Sequence, residues 1–366
     1  MNGAPQPGLV VKLRPTGPWR MGPDTGARDG VDLVYHSDSL YSAVTGAIRL
    51  LGNLDEWLDA TANNPDGAAV RFSSLYPFHN EIGFVIPPRT VWPPPASTKV
   101  RWKGARFVPL GVVAPLLSGR ALEEDRWDVD AASQCLVPVG RSGPFRVGAR
   151  SGVAVDRLSG DVEPHAVACI EFLPGAGLWS VISFADEQQR QRWDGPVRWA
   201  LRLLADSGFG GERSRGWGRA EPPEFIEGSL PQMILPDQPS EPAAEELNGA
   251  STPSETPAVE TPAVETPAVE RPSAYWLLSL FNPAALDSVD WSRGNYYVLA
   301  RSGRVESPVR SGDVKKTLNM VGEGSVLVAE HPVHGTAADV APDGFAHPVY
   351  RSGFALAIPV PGQAIP

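Results

Sequence analysis

Patterns of apolar and polar positions lay out the first elements. LVVKLRP (residues 9–15) is a β-branched run ended by proline, which predicts a strand. In HSDSLYSAVTGAIRLLG, Leu40, Val44, Ala47, Ile48 and Leu51 recur at spacings of three and four and share one helical face. Ser37 or Asp38 can cap that helix, and Gly52 can end it. VRFSSLYPFHNEIGFVIPPRTVWPPP follows as two short apolar or aromatic runs broken by prolines. Residues 99–184 hold strand-like pieces among many turns: KVRWKGARFVPL, FRVGARSGVAVDRLSG and LWSVISF.

GPVRWALRLLADSG restores helical spacing. Pro196 suits a first helical position, Val197, Ala200, Leu201 and Leu204 form the stripe, and Gly208 supplies the stop. A loop rich in glycine and arginine comes next, then a strand in RAEPPEFI. With the long middle set aside, the order is β-α-β-β-α-β, that of a ferredoxin-like domain. Further on, AYWLLSLFNP and NYYVLARSG read as strands. DVKKTLNMVGEGSVLVA reads as a short helix, a glycine turn and a strand, and FALAIPV can close a second, smaller α+β unit.

Charge separates the two units. The chain has 366 residues and a formal charge of −10, yet eleven of its 42 acids and none of its 32 bases fall within residues 221–270. The rest is near neutral. That acidic stretch ends in ETPAV repeats, where proline at every fifth position prevents helix and central strand and like charges keep the tract extended. We therefore expect folded units at 1–227 and 273–366, joined by a disordered acidic linker at 228–272. A hydrophobic fraction of 42% supports real cores. Two distant cysteines, Cys135 and Cys169, give neither a disulfide framework nor a cysteine zinc site. With no signal-peptide pattern and no apolar run of about 20 residues, the expectation is a cytoplasmic protein without a membrane partner.

The chemistry concentrates in GFGGERSRGWGR, residues 208–219. Glycines permit positive φ and close backbone approach, exposed N–H groups cradle anions, and arginine adds charge and a stacking plane. A Walker A loop needs Gly-Lys-Ser/Thr, which is absent; a dinucleotide fingerprint needs glycine where Arg213 stands, and it opens a helix where this loop follows one. Polynucleotide phosphate is the remaining anion, against the plainer reading of a structural turn with solvated arginines. Phe209 and Trp217 can stack on bases or pack inward.

This loop resembles the glycine-rich loop of the CRISPR-associated RAMP superfamily. HSDSLYSAV, FSSLYPF with PPRTVWPPP, KVRWKGARFVPL, RSGVAVDRLSG, and LARSGR with GEGSVLV occur in family order. Together they resemble the crRNA 5′-end-capping subunit family of type III-A (Csm) effectors, the fourth Csm-type subunit of the Cas-five-like group. The resemblance covers nearly all of the chain outside 228–272, and the acidic linker is its departure. It implies an α+β protein of two ferredoxin-like (RRM-like) domains, with a glycine-rich loop and a β-hairpin thumb inserted at about 80–190. It also implies a non-catalytic subunit, without cofactor, that holds the crRNA 5′ handle, meets target RNA through the complex, and joins the large polymerase-like signalling subunit to the backbone RAMP subunit. On this resemblance Gly208, Gly210, Gly211, Arg213, Ser214, Arg215, Gly216, Gly218 and Arg219 face the handle.

Other candidates are weighed beside these. His36 and Ser37 are placed with the RNA-binding residues; His36 would be the base of the alternative, a metal-independent crRNA-processing endoribonuclease of the same superfamily. His36-Ser37-Asp38 cannot converge as a triad because the residues are neighbours, and capping accounts for the serine and aspartate. His331 and His334 in HPVH read as a turn, not a metal site. Arg146, Arg150 and Arg157, with Arg141, lie among glycines and β-branched residues as in a basic hairpin that neutralises phosphates, or as on a solvated face. Lys99, Arg101, Lys103 and Arg106 belong to that surface or face a protein neighbour.

Overall fold

Strand β1 (Gln6–Leu13) alternates as a half-covered strand should, with Leu9, Val11 and Leu13 fully buried. It opens a mixed α/β fold, here a computed structural model that describes residues 5–22, 27–94, 100–236, 273–307 and 309–361. Helix α1 (Ser37–Leu50) buries Leu40, Tyr41, Val44, Ala47 and Ile48 and ends before Gly52, whose φ is +86°. After α2 (Leu54–Ala60) come β2 (Val70–Phe72), β3 (Tyr76–His79), β4 (Ile82–Val85) and β5 (Val108–Pro109). Helix α3 (Leu110–Leu117) and the hairpin of β6 (Trp127–Asp130) with β7 (Cys135–Pro138) lead to a long hairpin, β8 (Phe145–Val155) and β9 (Val162–Phe172). Then β10 (Ala176–Phe184), α4 (Glu187–Ser207) and β11 (Glu224–Leu230) complete this part.

The central sheet runs β11-β1-β10-β3-β4-β5, with every neighbouring pair antiparallel and β2 also on β10. Strands β2 and β3 share one partner because the chain breaks between them at Ser73–Leu75. There Ser73 Oγ takes the Val181 N–H at 2.9 Å, and the freed Ser74 N–H donates to the Leu278 carbonyl, also at 2.9 Å. Helices α1 and α4 pack on each other; α4 contacts β1 and β10, and α1 contacts β2.

Helix α4 begins nine residues before Pro196, the expected start. Asp186 accepts the Gln189 N–H at 2.7 Å as a true N-cap, and Trp193 extends the buried stripe. The polar run before Pro196 hid this turn, and Pro196 stands inside the helix without a donor for the Arg192 carbonyl. The thumb range also narrows: β4, β5 and β10 are strands of the central sheet, so the inserted hairpin is Phe145–Phe172.

Beyond residue 272, β12 (Ser273–Leu277) is the middle of an antiparallel sheet between β15 (Val326–Ala329) and β18 (Ala357–Val360). Strands β13 (Val298–Arg301) and β14 (Leu318–Val321) pair beside it, as do β16 (Ala338–Asp339) and β17 (Tyr350–Arg351). The short helix expected in DVKKTLN is absent; the described chain is extended there before β14. The linker boundary moves as well. Strand β11 continues through Leu230, and the turn after it buries Ile234 through bonds from Ile234 and Leu235 N–H to the Pro231 carbonyl. Residues 237–272, with the rest of the expected linker, lie outside the described residues.

One apolar cluster runs through both parts, joining Leu9, Tyr41, Tyr76 and Phe84 to Trp276, Leu278, Phe354 and Ile358. Tyr76 Oη donates to the Leu278 carbonyl at 2.7 Å and Trp276 Nε1 to the Ile86 carbonyl at 3.2 Å, so the shared core also satisfies its polar edges.

Candidate nucleic-acid interface

The glycine-rich loop is seated on the segment that follows β1. Thr16 N–H donates to the Arg219 carbonyl at 3.1 Å, Gly218 N–H to the Pro18 carbonyl at 3.0 Å, and Gly211 N–H to the Arg20 carbonyl at 2.8 Å. Gly218 has φ +78°, and a Cβ there would stand 2.0 Å from the Phe209 carbonyl oxygen, so no side chain fits. Gly208 and Gly210 approach backbone similarly, at Trp217 and Arg20, whereas Gly216 has open space. Both aromatics pack inward. Phe209 lies edge-on to Trp19 and Tyr35 at 4.7 and 5.2 Å, and Trp217 covers Val167 and Cys169 at the root of β9.

Arg213, Ser214 and Arg215 form a single 3₁₀ turn, all three exposed. The turn sends its arginines apart. Arg213 pairs with Glu306 of the C-terminal part, while Arg215 meets Glu212 at 3.2 Å and donates to His165 Nε2 of β9 at 3.3 Å. Arg219 is exposed at the loop's end. The loop therefore sits where the central sheet, the hairpin and the C-terminal part meet.

Between α1, the loop and residues 301–315 lies a cleft of about 1290 Å³. Its walls carry Arg49, Arg213, Arg301, Arg304, Lys315 and Arg351 against the carboxylates of Asp38 and Glu306. Burial lowers the Lys315 pKa most, and the neighbouring charge of Arg351 lowers it further.

The floor of the cleft is a buried charge cluster that includes His36, with Ser37 buried beside it. His36 is 3% exposed; its Nδ1 lies 2.6 Å from Glu323 and its Nε2 3.0 Å from Asp32. Burial alone lowers a histidine pKa, but the Glu323 charge and the two hydrogen bonds raise this one to about 9, so both ring nitrogens carry protons. Ser37 is also buried, and its Oγ accepts the Leu280 N–H at 3.0 Å. Neither Ser37 nor Asp38 caps α1; His36 occupies the N-cap position without a side-chain cap bond. Asp38 instead receives Arg301 at 2.9 and 3.1 Å and Arg351. Burial opposes its charge, yet the two guanidinium groups hold its pKa well below the usual carboxylate range.

On the hairpin, Arg146 and Arg150 share one partner, Glu171, at 2.9 and 2.5 Å, and Arg157 is exposed in the turn. Around that turn Val153, Val155, Leu158 and Val162 are exposed, an apolar tip on a cationic stem. Cys135 and Cys169 are free and buried. Among the described residues no cluster of three His, Cys, Asp or Glu side chains could hold a metal, and His334 lies 3.9 Å from Asp287. No described helix is long and apolar enough to cross a membrane. Sequence reading missed Arg20, Arg49, Arg301, Arg304, Lys315 and Arg351. LARSGR had drawn notice to Arg301 and Arg304 only as part of a resemblance.

Residues 270–360 match the family of the CRISPR Csm4 C-terminal domain. The chain is similar in fold to one in a Csm3–Csm4 subcomplex of the type III-A CRISPR-Cas interference complex, with a TM-score of 0.59 and 15% identity over 96% of this chain and 99% of that one. It is likewise similar to a chain of a Csm1–Csm4 cassette in complex with pppApA, with a TM-score of 0.53 and 18% identity over 97% and 98%. No curated protein matches it by sequence. The mixed α/β chain with mostly antiparallel sheets shares its fold with these solved chains. The family match is confined to residues 270–360, and the likeness to the solved chains is one of fold over nearly the whole chain.

Proposed function

We propose that this protein is the RNA-binding structural subunit of a type III-A Csm effector in antiviral defence. It holds the crRNA 5′ handle in the cationic cleft beside the glycine loop and links a Csm1-type large subunit to a Csm3-type backbone. The observation that carries this reading is the cleft: Arg49, Arg304 and Lys315 beside the rim pair of Arg213 and Glu306, over a floor where Asp38 holds Arg301 and Arg351, bordered by Gly210 and Gly211 and continuous with a Csm4-type C-terminal domain. Similar chains in Csm1–Csm4 and Csm3–Csm4 assemblies support the two protein neighbours; that target RNA is met through the complex rests on the sequence resemblance. The strand order β11-β1-β10-β3 with α1 and α4 supports a ferredoxin-like first domain, and the sheet around β12 is assigned to a second domain of the same ancestry. The two domains are 1–236 and 273–366.

Within the site, the loop from Gly208 to Arg219 supplies backbone N–H groups and charge, with Arg213 toward the cleft. Arg146, Arg150 and Arg157 bring the hairpin's charge beside the strand. Phosphate contacts position the RNA, and splayed bases and 2′-hydroxyls supply discrimination. The protein acts in the cytoplasm and without catalysis. The endoribonuclease reading needs His36 as a base, and an imidazolium with both N–H groups already donated cannot accept a proton.

The test compares RNA bearing the intact repeat-derived handle with handle-scrambled RNA across a salt series. It uses the co-expressed complex and the Arg213→Ala/Arg215→Ala variant. We expect preference for the intact handle, a weaker preference in the variant, and no cleavage. Equal binding of both RNAs, or metal-independent cleavage lost in His36→Ala, overturns the proposal.

A further inference from the structure

Arg20 occupies a place that the handle-binding reading does not use. The segment holding it is sandwiched. On one side Trp19 and Ile170 of β9 exchange both backbone hydrogen bonds, at 3.0 and 2.7 Å. On the other side the glycine loop rests on the same segment, with Gly211 N–H on the Arg20 carbonyl at 2.8 Å. Arg20 is 7% exposed. Its guanidinium donates to the carbonyls of Ala168 at 2.8 Å, Ala27 at 2.6 Å, and Arg28 and Gly30 at 3.2 Å each. Its aliphatic stem supports Gly211, where a Cβ would lie 3.0 Å from Cδ and 3.2 Å from Cγ.

We infer that Arg20 is the positioning residue of the glycine loop, coupling the root of the thumb hairpin to the loop's register. Its head ties β9 to the turn at 27–30, and its carbonyl and stem fix the loop two residues before Arg213. That register decides which arginine faces the cleft and which faces the hairpin. Arg213 points to Glu306 and Arg215 to His165; a loop displaced on Arg20 moves both. Lysine cannot replace it, because one ammonium with three donors does not span four carbonyls arranged around a planar fork. Without the guanidinium the buried Ala168 carbonyl loses that donor, and β9 keeps only the Ala168 N–H bond to the Arg28 carbonyl, at 2.8 Å, as its tie to the turn at 27–30, so the local chain shifts.

The RNA readout rests on the handle reading, so the experiment has two arms. In the co-purified complex, handle and scrambled RNAs are titrated against Arg20→Lys, Gly211→Ala and the double variant. Each single change reduces handle preference roughly tenfold, the scale of a charge-assisted hydrogen bond, and the double change is no worse than either alone because both act through one contact. Multiplying effects, or an unchanged preference in either single variant, overturn the inference. A wild-type complex without handle preference sinks the handle reading instead. The second arm needs no RNA: hydrogen exchange in the RNA-free complex. Arg20→Lys speeds exchange at both 208–218 and 166–170; acceleration confined to 27–30 overturns the coupling. If Arg20→Lys does not assemble, Gly211→Ala, which keeps all four carbonyl bonds, carries the test by speeding exchange across the same two stretches, and loss confined to the loop refutes it.

Discussion

Two clusters of arginine lie within one cleft, and they are built on opposite terms. Arg301 and Arg351 close on Asp38 in the floor, each 6% exposed at the side chain, with the carboxylate 2% exposed. Arg213 and its partner Glu306 stand at the rim with side chains 45% and 73% exposed. A buried pair costs desolvation on both sides and persists only where close charge-assisted hydrogen bonds offset that cost; a rim pair is screened by water and exchanges its partner easily. The floor therefore fixes how the two parts of the chain meet, while the rim keeps its charge available to another anion. The difference teaches that arginine counts alone do not locate an RNA surface; burial decides which cations are structural.

The sharpest way to break this comparison is Asp38→Asn. It leaves two buried guanidinium groups facing a neutral amide, and losing one partner of such a pair costs about 3–5 kcal/mol. Thermal melting and limited proteolysis read the result as a large drop in melting temperature with early cleavage between the two parts. A melting temperature within a degree or two of wild type would show that the floor is not structural.

The next test uses pH at the same floor. His36 has its pKa raised to about 9 by Glu323 and Asp32, against an unfolded value near 6.5. A raised basic pKa contributes stability that is fully present below pH 6.5 and fades as pH rises through 9, on the order of a few kcal/mol. Melting temperature should fall between pH 7 and 9.5, and in His36→Gln that part of the slope should vanish. A flat profile in the wild type would remove the imidazolium from the junction.

How much of this was legible in the chain follows from the range of each interaction. Period gave α1, because Leu40, Val44, Ala47 and Ile48 are local neighbours on one face. It could not show that Asp38 meets Arg301 and Arg351, which lie 263 and 313 positions away. Helix-start chemistry and ion-pair chemistry use the same residue types, so Ser37 and Asp38 read as caps. Glycine at 208, 210 and 218 sits where the loop backbone passes too close to other chain for a Cβ, but the 3₁₀ turn that separates Arg213 from Arg215 has no sequence period. Arg20 gave no signal at all: a single arginine between Trp19 and Met21 has no repeat, and its four acceptors are carbonyls, which every residue carries.

Within the loop itself the same contrast recurs at smaller scale. Gly218→Ala places a Cβ against the Phe209 carbonyl, whereas Gly216→Ala meets open space, although both have φ near +80°. Left-handed backbone alone costs alanine roughly 1–2 kcal/mol, and the close approach at Gly218 adds to it. Gly218→Ala should lower stability more than Gly216→Ala and should blunt handle preference as well. Equal melting temperatures for the two would mean that the loop does not lean on Phe209.

The smallest effect on stability belongs to the rim, and there the comparison becomes most informative. Arg213→Ala removes an exposed ion pair, whose worth is about 0–1 kcal/mol, so melting should scarcely move. If Arg213 instead meets a phosphate, its loss flattens the log–log salt dependence of handle binding by about 0.7–0.9. Arg215→Ala, whose side chain faces Glu212 and His165, should change that slope less. The floor variants should behave inversely, moving the melt and leaving the slope of whatever complex still assembles. A variant at Arg213 that lowers the melting temperature while preserving the salt slope would place it with the floor, and the division between structural and RNA-facing cations would have to be redrawn around Arg49, Arg304 and Lys315, the remaining cations on the cleft wall.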